Sequence, residues 1–489
     1  MPVVVWTVTE ATVADGRGWT ATTRYTYSGG VWSLTDEEFR GFSTVTVTDP
    51  AGNRAVTAFH QDNTKKGQVA WSRVEDASGR LFSLVQHAYT DVAPFPGVAW
   101  PRLDRTDAFE YDGGTTPRQT AILYTYDTHG NPTRVLRLGD VSVAGDERDG
   151  RTDWLVDTSR WIHRPTRTAL HDSAGAIIRE RWLSYDGLAW GALGARGLLT
   201  REELRLTGPR GTVGNPTIAF AYDAFGNRTS TADPRNCTTT TAFEAGAIYP
   251  ASVTTCLNFT TTFQYDARWG TKTSERDPNG HTTTATYDVF GRLVRVTGPL
   301  DTASANGTVS HLYVDFGNPA AQRIVTNRTE QHGTANVVWS EQYFDGLGRA
   351  YLDRVEGPGG QVIVQERTFD ARGLLRTQSA PRFPSETSVL TTVVYDALGR
   401  PIDVMHPDGT HTRTAYTPGL RVLTDRRGNV RRHGLDAHAQ LVRVEELNAA
   451  ETYVTTYAYD AAGGLTRVTN HLGHVTTMTY DRKYSRFPV

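Results

Sequence analysis

Gly280-His281-Thr282-Thr283-Thr284-Ala285-Thr286-Tyr287-Asp288-Val289-Phe290-Gly291-Arg292-Leu293-Val294-Arg295-Val296 reads as one unit of a repeat, and the rest of the chain is read outward from it. The Thr-rich run up to Tyr287 suits a strand, in which every second side chain shares a face. Asp288 then opens a turn, because its short carboxylate can accept nearby backbone N–H groups. Gly291, three places on, tolerates the positive φ such a turn asks for. Leu293 to Val296 reads as the returning strand. A second turn closes the unit at Asp277-Pro278-Asn279-Gly280, or at Pro407-Asp408-Gly409, where Asn-Gly and Asp-Gly are strong short-hairpin signals.

The anchor Tyr-Asp-x-x-Gly-[Asn/Arg] recurs along the chain. It appears as Tyr126-Asp127 with Gly130, Tyr222-Asp223 with Gly226, Tyr287-Asp288 with Gly291, and Tyr395-Asp396 with Gly399. Weaker copies are Phe344-Asp345 with Gly348, Phe369-Asp370 with Gly373, and Tyr459-Asp460 with Gly463. Tyr265-Asp266 has its glycine one place late, at Gly270, and Tyr480-Asp481 opens a last copy. Tyr265 and Tyr287 are 22 residues apart; Tyr395 and Tyr416, and Tyr459 and Tyr480, are 21 apart. An aromatic often stands two places earlier, as Tyr124, Phe220, Phe263 and Tyr457 do, which puts both rings on one face. Each unit is two strands and two turns. One hairpin cannot bury a face alone, so units must stack into a long sheet. Strands twist, and a large sheet cannot stay flat. The expected fold is therefore all-β: a long antiparallel sheet of hairpins spiralling into a hollow shell, a partial cocoon.

Composition agrees. Thr runs such as Thr238–Thr241, with 21 Tyr, 11 Trp and 46 Gly, favour strands and turns. The net charge of −2 excludes a global basic surface for nucleic acid or an anionic membrane. No run approaches the roughly 18 apolar residues that span a bilayer. Met1-Pro2-Val3-Val4-Val5-Trp6 has no basic region ahead of a long apolar core, so the chain is expected to leave the cell without a cleavable signal of its own. Cys237 and Cys256 flank a turn-like stretch, where a disulfide is geometrically conceivable; two thiols in a long chain are more often bystanders, and their redox state stays open.

The enzyme reading needs a constellation of reactive groups. The sequence has no Gly-x-Ser-x-Gly elbow, phosphate loop or His-Glu-x-x-His. His471 and His474, three apart on a strand, would face opposite ways, and His433 and His438 are five apart. Gly191 to Gly197 is glycine-rich but lacks a Gly-x-Gly start. The repeated Asp127, Asp223, Asp288, Asp396 and Asp460 each have a structural task, and core packing explains the Tyr ladder better than sugar stacking. No catalytic, cofactor or metal site is expected.

Tandem Tyr-Asp-x-x-Gly units resemble the YD repeats of Rhs proteins, teneurins and toxin-complex proteins, over roughly residues 111 to 489. Tyr25-Thr26-Tyr27-Ser28-Gly29-Gly30 followed by Glu38-Phe39-Arg40-Gly41-Phe42 narrows the choice. It resembles the junction in the middle of the B component of bacterial insecticidal toxin complexes. Phe59-His60-Gln61 with Lys66-Gly67, then Leu138-Gly139-Asp140, Gly145 to Arg148, and Trp161-Ile162 continue the likeness. The resemblance implies a non-enzymatic shell segment that, with a C-type toxin component, encloses a cytotoxic effector. It implies an A-type translocation channel as a further partner, through a propeller; no propeller repeat stands upstream of Tyr25, so propeller docking is not carried over. The self-cleaving protease of the C component has no matching positions. The end at Tyr484 to Val489, just after a repeat opens, suggests a fragment or a split gene product. The expected regions are 1–110, an irregular β-rich junction; 111–214, a first repeat with a long insertion and a glycine-rich loop from Gly187 to Gly214; and 215–489, tandem repeats. Two rivals remain: a secreted or cell-surface module that binds carbohydrate or cells, and a hydrolase in the 130–214 insertion.

Overall fold

The computed structural model describes residues 4–206, 208–448 and 451–480; Asp481 and the terminal Tyr484 to Val489 lie outside them. Thirty-six strands, from β1 (Glu10–Ala14) to β36 (Val475–Thr477), form one antiparallel sheet among the described residues. Every strand pairs with its sequence neighbours, as β19 (Thr271–Arg276), β20 (Thr282–Tyr287) and β21 (Leu293–Thr297) do. The ladder runs through residues 110 and 214 without a break. In the repeat region the strands are short. Near the N-terminus they are much longer: Thr20–Ser33 has 14 residues and Leu81–Phe95 has 15. The stretch from Gly187 to Gly214, expected to be a loop, contains the strand Leu199–Leu204, which pairs on both sides. Its Leu-Thr-Arg-Glu-Glu-Leu segment has four polar residues in a row and glycines on either side, so neither alternation nor composition marked it as a strand.

Both turns of the unit, opening at Asp277 and at Asp288, are the same loop. Asp277 N–H bonds His281 O, and Gly280 N–H returns to Asp277 O. Asp288, Arg292 and Gly291 repeat this arrangement. The glycine takes positive φ, +87° at Gly280 and +75° at Gly291. This is the geometry of a tight turn extended by one left-handed residue, which only glycine adopts without strain. At Gly291 a side chain would also strike the Trp269 ring of the preceding loop, 3.0 Å from where a Cβ would stand.

The sheet bends because its strands bulge. The register slips by one residue at Tyr126, Tyr222, Tyr265, Tyr287, Phe344, Phe369, Tyr395 and Tyr459. A bulge leaves one residue unpaired and sharpens the local twist. Repeated at unit spacing, it curls the sheet into a coil. The proof of a full circuit is contact between distant loops. Asp15, between β1 and β2 (Thr20–Ser33), accepts through its carbonyl the Gly346 N–H, at 2.7 Å, between β24 (Val337–Phe344) and β25 (Ala350–Glu356). Arg148, at the start of β10 (Arg148–Asp157), bonds Gln440, between β32 (Val430–Leu435) and β33 (Leu441–Asn448). In a sheet whose strands pair only with sequence neighbours, such contacts require the ribbon to come round on itself. From the β1–β2 loop to the β24–β25 loop is 23 strands, and from the loop ahead of β10 to the β32–β33 loop is again 23.

Twenty-three strands at about 4.8 Å spacing give a circumference near 110 Å and about 35 Å between opposite backbones. Eight strands already leave only enough room for side chains, so a circuit of this size is hollow. Surface area agrees. The chain exposes 27853 Å², against about 18,000 Å² for a compact protein of this length. The wall is one sheet thick, with few apolar side chains buried: Phe82, Ala121, Trp182, Leu183 and Tyr185 among them.

Candidate functional site

The anchor motif does three things at once. The Asp carboxylate closes its loop: Asp127 Oδ1 accepts the N–H groups of His129 and Asn131, and Oδ2 accepts the Asn131 amide. Asp223 holds Asn227 in the same way. Asp288 and Asp396 instead receive the Nε of Arg292 and Arg400, at 2.6 and 2.7 Å, which explains why Asn or Arg follows the glycine. Asp460 accepts Gly464 N–H at 2.7 Å. Burial works to raise the Asp127, Asp223 and Asp288 carboxyls, but these bonds outweigh it and leave all three below the usual carboxylate value. The glycines Gly130, Gly226, Gly399 and Gly463 all take positive φ.

The Tyr hydroxyl does something the sequence did not show. At many of these bulges the next unit's aromatic donates to a carbonyl on the returning strand; Phe243 and Phe369, which follow the Tyr222 and Phe344 bulges, have no donor. Tyr287 reaches Lys272 O opposite the Tyr265 bulge, and Tyr313 reaches Leu293 O opposite the Tyr287 bulge. Tyr126, Tyr222, Tyr395 and Tyr459 reach Leu103, Leu199, Leu375 and Leu441 at 2.8–2.9 Å. Trp154 fills the position with its indole N–H, donating to Pro132 O at 3.0 Å opposite the Tyr126 bulge. Tyr265 differs: its ring stacks on Tyr249, centroids 4.9 Å apart, and its late Gly270 closes a longer loop by donating to Asp266 O. Burial raises the phenols of Tyr126, Tyr395 and Tyr459.

The junction motif gathers into one cluster. Phe42 packs on Tyr27 and edge-on to Phe39, with centroids 4.9 and 5.3 Å apart. Gln61 donates to both Gly29 O and Gly41 O, and Gly41 has φ +83°. Glu38 pairs with Lys66 and with Arg40, and Arg40 also bonds Asp36 and Asn63. Segments up to about forty residues apart in sequence thus close around one pair of glycine carbonyls.

Between coils lies a seam of polar contacts. Trp19 donates its indole N–H to Asp370 O, and its ring lies under the Arg349 guanidinium at 4.1 Å. Arg400 pairs with the buried Asp112 at 2.8 Å. Arg118 donates to Leu435 O and Asp436 O, and His438 bonds Asp146 O. Arg349 and Arg400 are therefore both loop clamps and seam residues. Nothing in their local sequence marks the second task. Cys237 and Cys256 form a disulfide, tying neighbouring loops on one edge of the sheet. Among the described residues, no three His, Cys, Asp or Glu side chains converge to hold a metal ion. The buried Asp301 is fully occupied by Thr308, His332 and Gly333. A hollow of about 610 Å³ beside Tyr313, Ile324, Gln342 and Gln365 is open and lined by apolar, amide and charged groups, Glu341 and Asp353 among them. Among the described residues, no helix is long and apolar enough to cross a membrane.

A family model described as the insecticide toxin TcdB middle/N-terminal region matches residues 1–71, and one described as RHS Repeat matches residues 272–303. The RHS match covers one unit of the ladder, around Tyr287. Both matches fall where the sequence resemblance was drawn, on the Glu38–Phe42 junction and on the unit around Tyr287. A similar fold is found in the crystal structure of TcdB2–TccC3, with a TM-score of 0.77, 12% identity, and coverage of 96% of this chain and 37% of that one. TcdB2–TccC3–Cdc42 matches with a TM-score of 0.74, 12% identity, and coverage of 93% and 36%. The Photorhabdus luminescens Tc holotoxin pore, with a TccC3 mutation, matches with a TM-score of 0.76, 12% identity, and coverage of 96% and 38%. The chain spans less than two-fifths of the length of these solved chains. No curated protein matches it in sequence.

Proposed function

We propose that this chain is a wall segment of a toxin-complex container that encloses a cytotoxic effector for delivery to target cells. The observation that carries the reading is the full circuit: a single open-ended sheet that comes round on itself after 23 strands. Its work is exclusion, performed by shape and by a continuous hydrogen-bonded wall, with no reacting side chain. The sites are structural: the Tyr-Asp-x-x-Gly loops and the Glu38–Phe42 cluster. Residues 1–110, 111–214 and 215–489 are successive regions of one wall. The partners are a C-type component carrying the effector and, through a propeller outside these residues, an A-type channel. The chain acts outside the producing cell as part of that complex and inserts in no membrane itself.

The test is protease protection. The chain is co-expressed with a toxin-bearing C-type partner, and the assembled complex is treated with a broad protease. The effector should survive while the wall is folded and be digested once the wall is denatured. An effector digested as fast in the assembled complex as when free removes the container reading.

A further inference from the structure

Two devices hold the five-residue loops of the ladder closed. The fourth residue, usually glycine, takes positive φ, and the side chain of the first, usually Asp, accepts the loop's own N–H groups, as Asp277 and Asp288 do. The loop from Thr255 to Phe259 has the same backbone bonds, Thr255 N–H to Phe259 O and Asn258 N–H to Thr255 O. It has neither device. Thr255 stands in the place of the Asp, and among the described residues no side chain bonds this loop's backbone. Asn258 stands in the place of the glycine, at φ +62°. Asn enters that region more readily than most residues, but less freely than glycine. Asn236 and Ala439 also replace glycines, at φ +63° and +60°, yet their loops keep the carboxylates of Asp233 and Asp436.

The strands leading to this loop are also less firmly held than others. Phe243 stands where a tyrosine could donate to the strand beside the Tyr222 bulge, and has no hydroxyl to give. The loop from Glu244 to Tyr249 turns on Ala247, at φ +54°, without a glycine there. The disulfide falls in this stretch. Cys256 is the second residue of the unclamped loop, and Cys237 is the last residue of the loop that opens at Asp233, with Cα atoms 5.2 Å apart. Asp233 Oδ1 holds the Cys237 N–H at 2.9 Å, so the bridge fastens the weak loop to one that is already closed. The cysteines are 19 residues apart in sequence, and a crosslink over such a stretch removes much of the freedom the chain would gain on opening.

We infer that Cys237 and Cys256 are a reversible oxidation site that does here the work of the Asp and the glycine elsewhere, so that closure of this part of the wall depends on redox conditions. With both residues as thiols, the Thr255 loop has only its backbone bonds and opens readily. Oxidation closes it. The two thiols give up two electrons and two protons to a disulfide oxidant such as oxidised glutathione, which leaves as two thiols. Cysteines stay reduced in the cytosol and pair outside it, so the wall is made with this clamp open and gains it on release. That last step rests on the proposed role outside the producing cell; the clamp itself does not.

Amide hydrogen exchange read by mass spectrometry tests it on the full chain, equilibrated in oxidised or in reduced glutathione with its free thiols counted. Oxidised, the chain should show no free thiol and slow exchange in the strands Thr238–Phe243, Pro250–Thr254 and Thr260–Asp266. Reduced, exchange in these strands should speed up about tenfold or more, while β20 and β21, whose loop has both devices, should not change. A Thr255→Asp/Asn258→Gly chain, which restores the repeat's own devices, should exchange slowly in either state. Three results overturn the inference: thiols that stay free in oxidised glutathione, wild-type exchange that reduction does not alter, or fast exchange in the reduced Thr255→Asp/Asn258→Gly chain. The measurement is made without any effector, so failure here is distinguishable from failure of the container reading.

Discussion

Tyr395→Phe removes one oxygen, the donor to Leu375 O at 2.9 Å. The freed carbonyl sits at a bulge, so no strand neighbour replaces the bond. The expected cost is about 1 kcal/mol, read as a lowered midpoint in urea unfolding. Tyr265→Phe should cost much less, because that ring acts by stacking on Tyr249. Equal losses from both would mean the hydroxyl bonds contribute nothing. At this scale the donors were legible in the sequence and the acceptors were not. Tyr, Asp and Gly repeat as residue types. A backbone carbonyl has no type: Lys272, Leu293, Leu375 and Pro401 all serve. Trp154, the substitute donor, stands outside the motif and was missed for that reason.

The loop is the element on which acid should act first. Asp266, bonded above all by Arg268, and Asp408, bonded above all by Thr410, are both held at about 2. Burial raises Asp76, but bonds from Ser78 and Arg80 outweigh it and bring that carboxyl to about 2 as well. A folded-state value below the unfolded one means stability that is complete above about pH 4 and lost as the pH falls towards 2. Thermal melting followed by circular dichroism should therefore be nearly level from pH 7 to 5 and fall steeply below about 4. A midpoint that is level down to pH 2 would remove the Asp loops from the account. The loops also show what the motif hid. Asp49, Asp76, Asp172 and Asp425 each open an Asp-x-x-Gly loop of the same kind on the rim without tyrosines. Searching for Asp-x-x-Gly alone would have found them; requiring the Tyr selected one rim. At the second turn the Asn-Gly signal marks Gly280, and the loop opens at Asp277.

For the whole molecule, the seam decides whether the coil is a vessel or a loose spring. Arg118→Ala combined with Asp112→Asn removes the bonds to Leu435 O and Asp436 O and weakens the pair with Arg400. Strand content should hold, while the radius of gyration from X-ray scattering rises by several ångströms, more so at high salt, where the remaining ion pairs are screened. An unchanged radius would show that bulges alone set the curvature. None of this was visible in the sequence. The all-β coil follows from alternation and repeat spacing, but the seam pairs residues such as Asp15 and Gly346, more than three hundred apart, with no periodicity to announce them.

The strict neighbour-to-neighbour pairing has a consequence for how such a molecule comes into being. A strand leaving the ribosome finds its only earlier partner already in place, the one made just before it. The wall can be laid down in the order of synthesis, each hairpin closing a short loop at small entropic cost, so the early steps should be fast despite the size of the finished sheet. The long-range contacts come last. Arg118 and Arg148 must wait for the loops at Asp436 and Gln440, roughly three hundred residues later. Until then the nascent ribbon is an open band with an unpaired growing edge, the form most exposed to misassociation.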